Sequence, residues 1–114
     1  MASQPKEIRR YLTRYGKAPF AEWFDSLRDI KTKTVVNKRL DRVSQGNLGD
    51  CQSVGLGVYE LRIDYGPGYR IYFGQVGTMI VILLCGGDKS TQAGDIRKAK
   101  EYWTDYEERE RTNK

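Results

Sequence analysis

Between residues 58 and 73 the chain alternates apolar and polar side chains with a period of two, breaks once at Gly66-Pro67-Gly68, and then resumes the alternation. A period of two sends successive side chains to opposite faces of an extended strand, so this stretch can bury one face only as a β-hairpin. Tyr59, Leu61, Ile63 and Tyr65 share the apolar face with Tyr69, Ile71 and Phe73; Val58, Glu60, Arg62 and Asp64 share the other with Arg70 and Tyr72. If Gly66-Pro67-Gly68 is the whole loop, Tyr65 stands opposite Tyr69, Asp64 opposite Arg70 and Arg62 opposite Tyr72. A slip of one residue would turn the aromatic set to solvent, so burial constrains the pairing.

The other elements are read from where the period changes. Residues 6–13 read as an opening strand. Pro19 opens a helix in which Phe20, Trp23, Phe24 and Leu27 recur at the spacing that stacks side chains on one helical face. A second helix is expected over residues 31–45, with Val36, Leu40 and Val43 buried, Gly46 ending it, and Lys31, Lys38, Arg39 and Arg42 on a positive opposite face. Residues 46–57 read as a loop and Gly77 as a turn. The unbroken apolar run at 78–85 reads as a strand covered on both sides, ended by the turn Gly86-Gly87-Asp88-Lys89-Ser90. Ile96, Ala99, Trp103 and Tyr106 predict a last helix, and residues 107–114 a charged end free to fray. The order is β-α-α-β-β-β-α, an α+β domain with helices against an antiparallel-rich sheet, and 114 residues suit one domain with a small core.

Twenty Lys and Arg against 15 acidic residues leave a formal charge of +5. The excess lies in residues 1–18 and 31–44, each with five basic side chains against one acidic one. That favours a polyanionic partner, although the same charges also serve simply to solvate helix faces. Cys51 and Cys85 form no Cys-x-x-Cys pair and there is no histidine, so neither a zinc site nor imidazole chemistry is expected; catalysis would run on Lys, Arg, Tyr and carboxylates. No cofactor is expected. The first residues lack the apolar run of a signal peptide, and the longest apolar stretch, 79–85, is too short to cross a bilayer, which points to the cytoplasm.

The polar hairpin face gathers Arg62, Arg70 and Tyr72, and guanidinium groups match phosphate oxygens two at a time. An equally ordinary arrangement is a solvated surface on which Asp64 pairs with Arg70 and Glu60 with Arg62. Lys89, between a buried strand and a helix start, is well placed to meet an anion. Of the aromatic residues, Phe20, Trp23, Trp103 and Tyr106 are spaced for packing, whereas Tyr72 is the candidate for contact with a nucleotide.

The stretch over residues 57–73, with Leu61-Arg62 and Gly68-Tyr69-Arg70, is followed by Leu83-Leu84-Cys85-Gly86-Gly87-Asp88-Lys89-Ser90 and Asp95-Ile96. Together these resemble the RelE/ParE superfamily, and more narrowly the HigB-like addiction module killer proteins. The resemblance implies a RelE-like fold, a helix-turn-helix antitoxin encoded by an adjacent gene, and cleavage of messenger RNA on the ribosome. It implies roles for Arg70, from the Gly-Tyr-Arg motif, for Arg62 in the preceding strand, and for Lys89 after the last strand. The histidines that some HigB-like members use are absent, and a tyrosine used by some RelE members has no secure counterpart beyond Tyr102 or Tyr106.

The reaction so implied is metal-free attack of a 2′-hydroxyl on the adjacent phosphate. Arg62 and Arg70 would offset the growing charge, Lys89 would serve the leaving oxygen, and Tyr72 would orient the nucleotide or assist proton transfer. Lys31, Lys38, Arg39 and Arg42 would hold RNA outside the reaction centre. Two rivals share the fold: a ParE-like toxin that binds DNA gyrase without catalysis, and a binding module whose catalytic face has decayed.

Overall fold

The structure, a computed structural model, describes residues 4–113; residues 1–3 and Lys114, the last of the charged end, lie outside it. Five strands form one sheet in the order β1-β5-β4-β3-β2: β1 is Glu7–Arg10, β2 Cys51–Gly55, β3 Val58–Ile63, β4 Tyr69–Val76 and β5 Ile80–Asp88. Every pairing is antiparallel except β1 with β5, which is parallel. Helices α1 (Pro19–Ser26) and α2 (Ile30–Ser44) belong to the crossover from β1, and α3 (Gln92–Thr112) closes the chain. This is the α+β fold expected, with one strand the sequence reading missed. β2 lies inside the stretch read as a loop, because its polar, mostly exposed residues carry no apolar alternation.

The sheet is buried on both faces. Phe20, Val36 and Val43 of α1 and α2 pack with Leu61, Ile63, Ile71, Phe73, Val81 and Leu83 on one side. Ala99 and Trp103 of α3 pack with Val58, Tyr72, Ile82 and Leu84 on the other. The face read as polar and open is therefore the floor beneath α3, and Glu60 and Tyr72 on it are fully buried. Alternation in the hairpin distinguishes two faces; it does not say that one of them is wet.

The hairpin register also differs from the expected one. Ile63 stands opposite Tyr69, Arg62 opposite Arg70 and Glu60 opposite Tyr72, two residues from the assumed pairing. Residues 64–68 form the loop, with Gly66 and Gly68 at φ 57° and 83°. A shift of two leaves every side chain on its original face, so burial does not distinguish the two registers.

Local signals explain the helices. Pro19 occupies the first turn of α1. The Asp29 carboxylate caps α2 by accepting from the Lys31 amide at 3.1 Å, and Gly46, at φ 93°, terminates it. The buried stripe of α2 is Thr32, Val36, Arg39 and Val43, so Arg39 belongs to the packed side and not to the positive outer face. α3 continues without interruption from Glu107 to Thr112, the region read as free to fray.

Gly86 and Gly87 do not turn the chain as expected. They extend β5, which passes a bulge at Leu84: Tyr72 pairs with Cys85 and Phe73 with Leu83. The bulge changes the phase of the strand, so Gly86 lies under Trp23 of α1 and Gly87 under Asp95 of α3, each too close to admit a Cβ. Gly86→Ala is therefore expected to lower stability by about 1–3 kcal/mol, the usual result of overpacking. A urea melt checks this, and an unchanged midpoint would show that Trp23 yields freely.

Candidate functional site

The sheet end where β3 finishes and β4 starts brings together the side chains that the sequence separates. β2 makes its last ladder contact at Cys51 opposite Leu61, and after the Arg62 amide donates to the Asp50 carbonyl at 2.9 Å the end of β3 has no strand neighbour on that side. Arg62 occupies that open end with its side chain 39% exposed, and Arg70 lies directly across the ladder at 12%. A Cβ placed on Gly68 would be 3.7 Å from Arg70 Nη1 and 3.8 Å from Lys89 Cβ, so the hairpin tip lies between the arginine head and the root of the lysine. Lys89 is exposed and opens a single 3₁₀ turn, Lys89–Thr91, capped by the Asp88 carboxylate, which accepts from the Ser90 amide at 2.8 Å. Arg62, Arg70 and Lys89 thus share one end of the sheet. A hollow of ≈ 230 Å³ there is lined by Asp50, Arg62, Asp64, Gly68 and Arg70 among others.

Beneath the arginines lies a residue not assigned a role from sequence. Glu60 accepts from Arg62 Nε at 2.9 Å, from the Tyr72 hydroxyl at 3.1 Å and from the Gln92 amide at 2.8 Å, with Arg70 Nε 3.7 Å away. One carboxylate thereby ties β3, β4 and α3 together under the cationic surface. The Glu60–Arg62 contact was one half of the solvated-surface arrangement; the other half is not formed, because Arg70 is directed to Glu60 and to the Gly68 carbonyl, not to Asp64. The clue in the sequence was Glu60 two positions before Arg62 on one face; Gln92 carried none.

Four residues singled out from the sequence change role. Tyr72 has no exposed surface, and burial, then the neighbouring Glu60 charge, raise its phenol well above the ordinary range. It cannot touch a nucleotide here or serve as a base near neutrality. Arg39 is buried, for the reason given by its place on the packed stripe. Tyr102 stacks on Tyr11 at 5.1 Å and Tyr106 on Trp103 at 5.3 Å, well along α3 from Lys89, so neither supplies a tyrosine to this end. Lys38 and Arg42 stay exposed and line a second groove with Arg62; Lys31, seven residues before Lys38, extends the same helical stripe.

No family model matches the chain. It is 49% identical to an uncharacterized protein of Haemophilus influenzae (strain ATCC 51907 / DSM 11121 / KW20 / Rd) over 81 residues, 71% of this chain and 82% of that protein. Among the described residues no helix is long and apolar enough to cross a membrane.

Burial alone would raise the Glu60 carboxyl, but hydrogen bonds from Gln92, Arg62 and Tyr72 together hold it below its ordinary value. Its ionised form therefore stabilises the fold at neutral pH, and that contribution is lost as acid protonates the group. Glu60→Gln is expected to flatten the fall in stability below about pH 4.5 while lowering stability at pH 7. Denaturation midpoints across pH 3–7 check this, and parallel curves for the two proteins would remove Glu60 from the acid response.

Proposed function

The chain belongs to the same family as that Haemophilus influenzae protein, and from its own residues we propose that it is a toxin of the RelE/ParE kind, HigB-like, that cuts messenger RNA. The observation that carries this reading is the convergence of Arg62, Arg70 and Lys89 at one sheet end over a single buried carboxylate. Glu60 offsets one positive charge, and Asp50 and Asp64 border the same hollow, but among the described residues neither Asp is ion-paired with Arg62 or Arg70, so guanidinium donors stay available to an outside anion. A phosphodiester fits, since guanidinium groups and a mobile ammonium are the usual binders of its oxygens.

In the proposed reaction the RNA 2′-oxygen bonds to the adjacent phosphorus while the bond from phosphorus to the 5′-oxygen breaks. The 2′-hydroxyl gives up its proton and the leaving 5′-oxygen gains one, leaving a 2′,3′-cyclic phosphate and a 5′-hydroxyl. Arg62 and Arg70 offset the negative charge gathering on the phosphorane, and the exposed Lys89 serves the leaving oxygen. Tyr72 acts one layer below as a positioning residue, through its hydrogen bond to the carboxylate that anchors both arginines. Placement of the messenger by the ribosome supplies the alignment that an open, shallow site does not. The toxin works in the cytoplasm and is held in check by a helix-turn-helix antitoxin from a neighbouring gene, whose acidic and apolar groups would cover this cationic end.

Brief induction without antitoxin, followed by mapping of transcript ends, tests the reading. New 5′-hydroxyl ends within coding regions are expected, and Arg70→Ala and Lys89→Ala are each expected to reduce their rate of appearance about a hundredfold. Tyr72→Phe is expected to reduce it far less. Intact transcripts with a DNA-damage response would replace this reading with the gyrase-binding one, and no toxicity at all would leave a decayed module.

A further inference from the structure

Beside the proposed reaction centre, the fold buries a positive charge and leaves it without a counter-ion. Arg39 is 8% exposed, and none of the ion pairs among the described residues involves it. Its Nη2 donates to the carbonyls of Leu48 and Asp50, while Nη1 is buried with no hydrogen-bond partner. Gly49, at φ 59°, lets the loop close so tightly over the guanidinium that a Cβ there would lie 2.6 Å from Nη2. Carbonyl dipoles solvate such a group but do not neutralise it, and a buried charge without an opposite charge is costly. Burial, and then the nearby charge of Arg42, work against its protonated form, and the Asp50 charge, too far for an ion pair, only partly offsets them.

The cavity next to it explains why such a cost is tolerated. A groove of ≈ 380 Å³ between α2 and the end of β3 is bordered by Lys38, Arg39, Arg42 and Arg62, with Val35 and Ile63 as its apolar part and Asp64 as the one carboxylate. Even with Arg62 paired to Glu60, three further cations to one bordering carboxylate favour a negatively charged occupant. Arg62 borders this groove and also the hollow at Arg70, so the two are contiguous.

We propose that the groove between α2 and β3 is a second RNA subsite, which holds the phosphate next to the reacting one and seats its nucleoside against Val35 and Ile63. The proposal rests on the RNA-cutting reading above. A nucleic-acid strand suits this surface better than an acidic peptide because each of its repeats carries both a charge and an apolar ring face, matching cations that alternate with apolar side chains. Arg39 sets the field of the groove from below, and Lys38 and Arg42 make the contacts.

The test uses uncuttable 2′-O-methylated oligoribonucleotides, a dinucleotide with one phosphodiester and a trinucleotide with two, titrated into the whole chain and followed by amide NMR. The trinucleotide is expected to bind about tenfold more tightly and, unlike the dinucleotide, to shift the amides of residues 35–42. In the Lys38→Gln/Arg42→Gln variant, whose changes are on the exposed side of α2, that advantage should vanish and the salt dependence of trinucleotide binding should fall by roughly 0.7 in slope, one single-strand phosphate. Equal affinities for the two probes in the unaltered protein, or equal weakening of both in the variant, would overturn the subsite while leaving the Arg70 centre intact. If the unaltered protein binds neither probe, the subsite falls, while the mapping of transcript ends decides the RNA-cutting reading separately. A short polyglutamate that shifts the same α2 amides and outcompetes the trinucleotide would also overturn the proposal, by assigning the groove to an acidic protein segment.

Discussion

The Glu60 carboxylate, removed completely from water, is the constraint around which this molecule is arranged. Stripping a carboxylate of its hydration costs several kcal/mol, which only close, well-directed partners offset. Here those partners are guanidinium, phenol and amide groups from four elements, Gln52 of β2 among them at 3.5 Å. Arg62, hydrogen-bonded to the carboxylate, and Arg70, ion-paired with it at 3.7 Å, are in turn held in position, so packing and the presentation of charge are one arrangement. The network also joins α3 to the sheet at the start of the helix, through Gln92, where the chain has just left β5.

A sheet covered on both faces leaves little of itself accessible, and that focuses function on its ends. α1 and α2 close one side and α3 the other, brought close by glycines placed where a ring or a carboxylate must lie almost on the backbone: Gly86 under Trp23, Gly74 under Trp103 and Gly87 under Asp95. What stays open is the end where β2 has stopped and the hairpin loop begins. Rigid strands present the arginines there with little conformational freedom left to lose, which favours binding of a charged ligand.

Cations gather around this placement, although others lie at the far end of β4, where Lys6 reaches Gln75. A cavity of ≈ 540 Å³ lies at the other end of β4, between Gln75, Val76 and the last turns of α3, where Glu107, Glu110 and Arg111 border it. The cations of α2, Arg62, Arg70 and Lys89 lie toward the opposite end. Such a local cluster attracts an approaching polyanion before contact, more strongly at low ionic strength.

The hairpin, the three helices and the buried strand were legible from the chain alone because each rests on short-range physics: a period of two or of 3.6, a proline at a first turn, a glycine past a last one. The segregation of residues 58–73 into two faces was legible for the same reason. What each face meets was not, since that depends on where α3 returns, and the return of α3 turned a supposedly wet surface into a floor with Glu60 and Tyr72 sealed in it. Arg39 shows the boundary within a single helix: it stands three residues after Val36 and four before Val43, on the buried stripe by spacing, yet its charge argued for solvent. Only the tertiary fold supplied the loop carbonyls that let it stay inside. The register, the bulge at Leu84 and the strand β2 were likewise decided by partners distant in sequence, because a shift of two preserves the faces and a polar edge strand has no pattern of its own. Which residue types could bind an anion was written in the chain; that three of them share one end of the sheet was decided by long-range pairing.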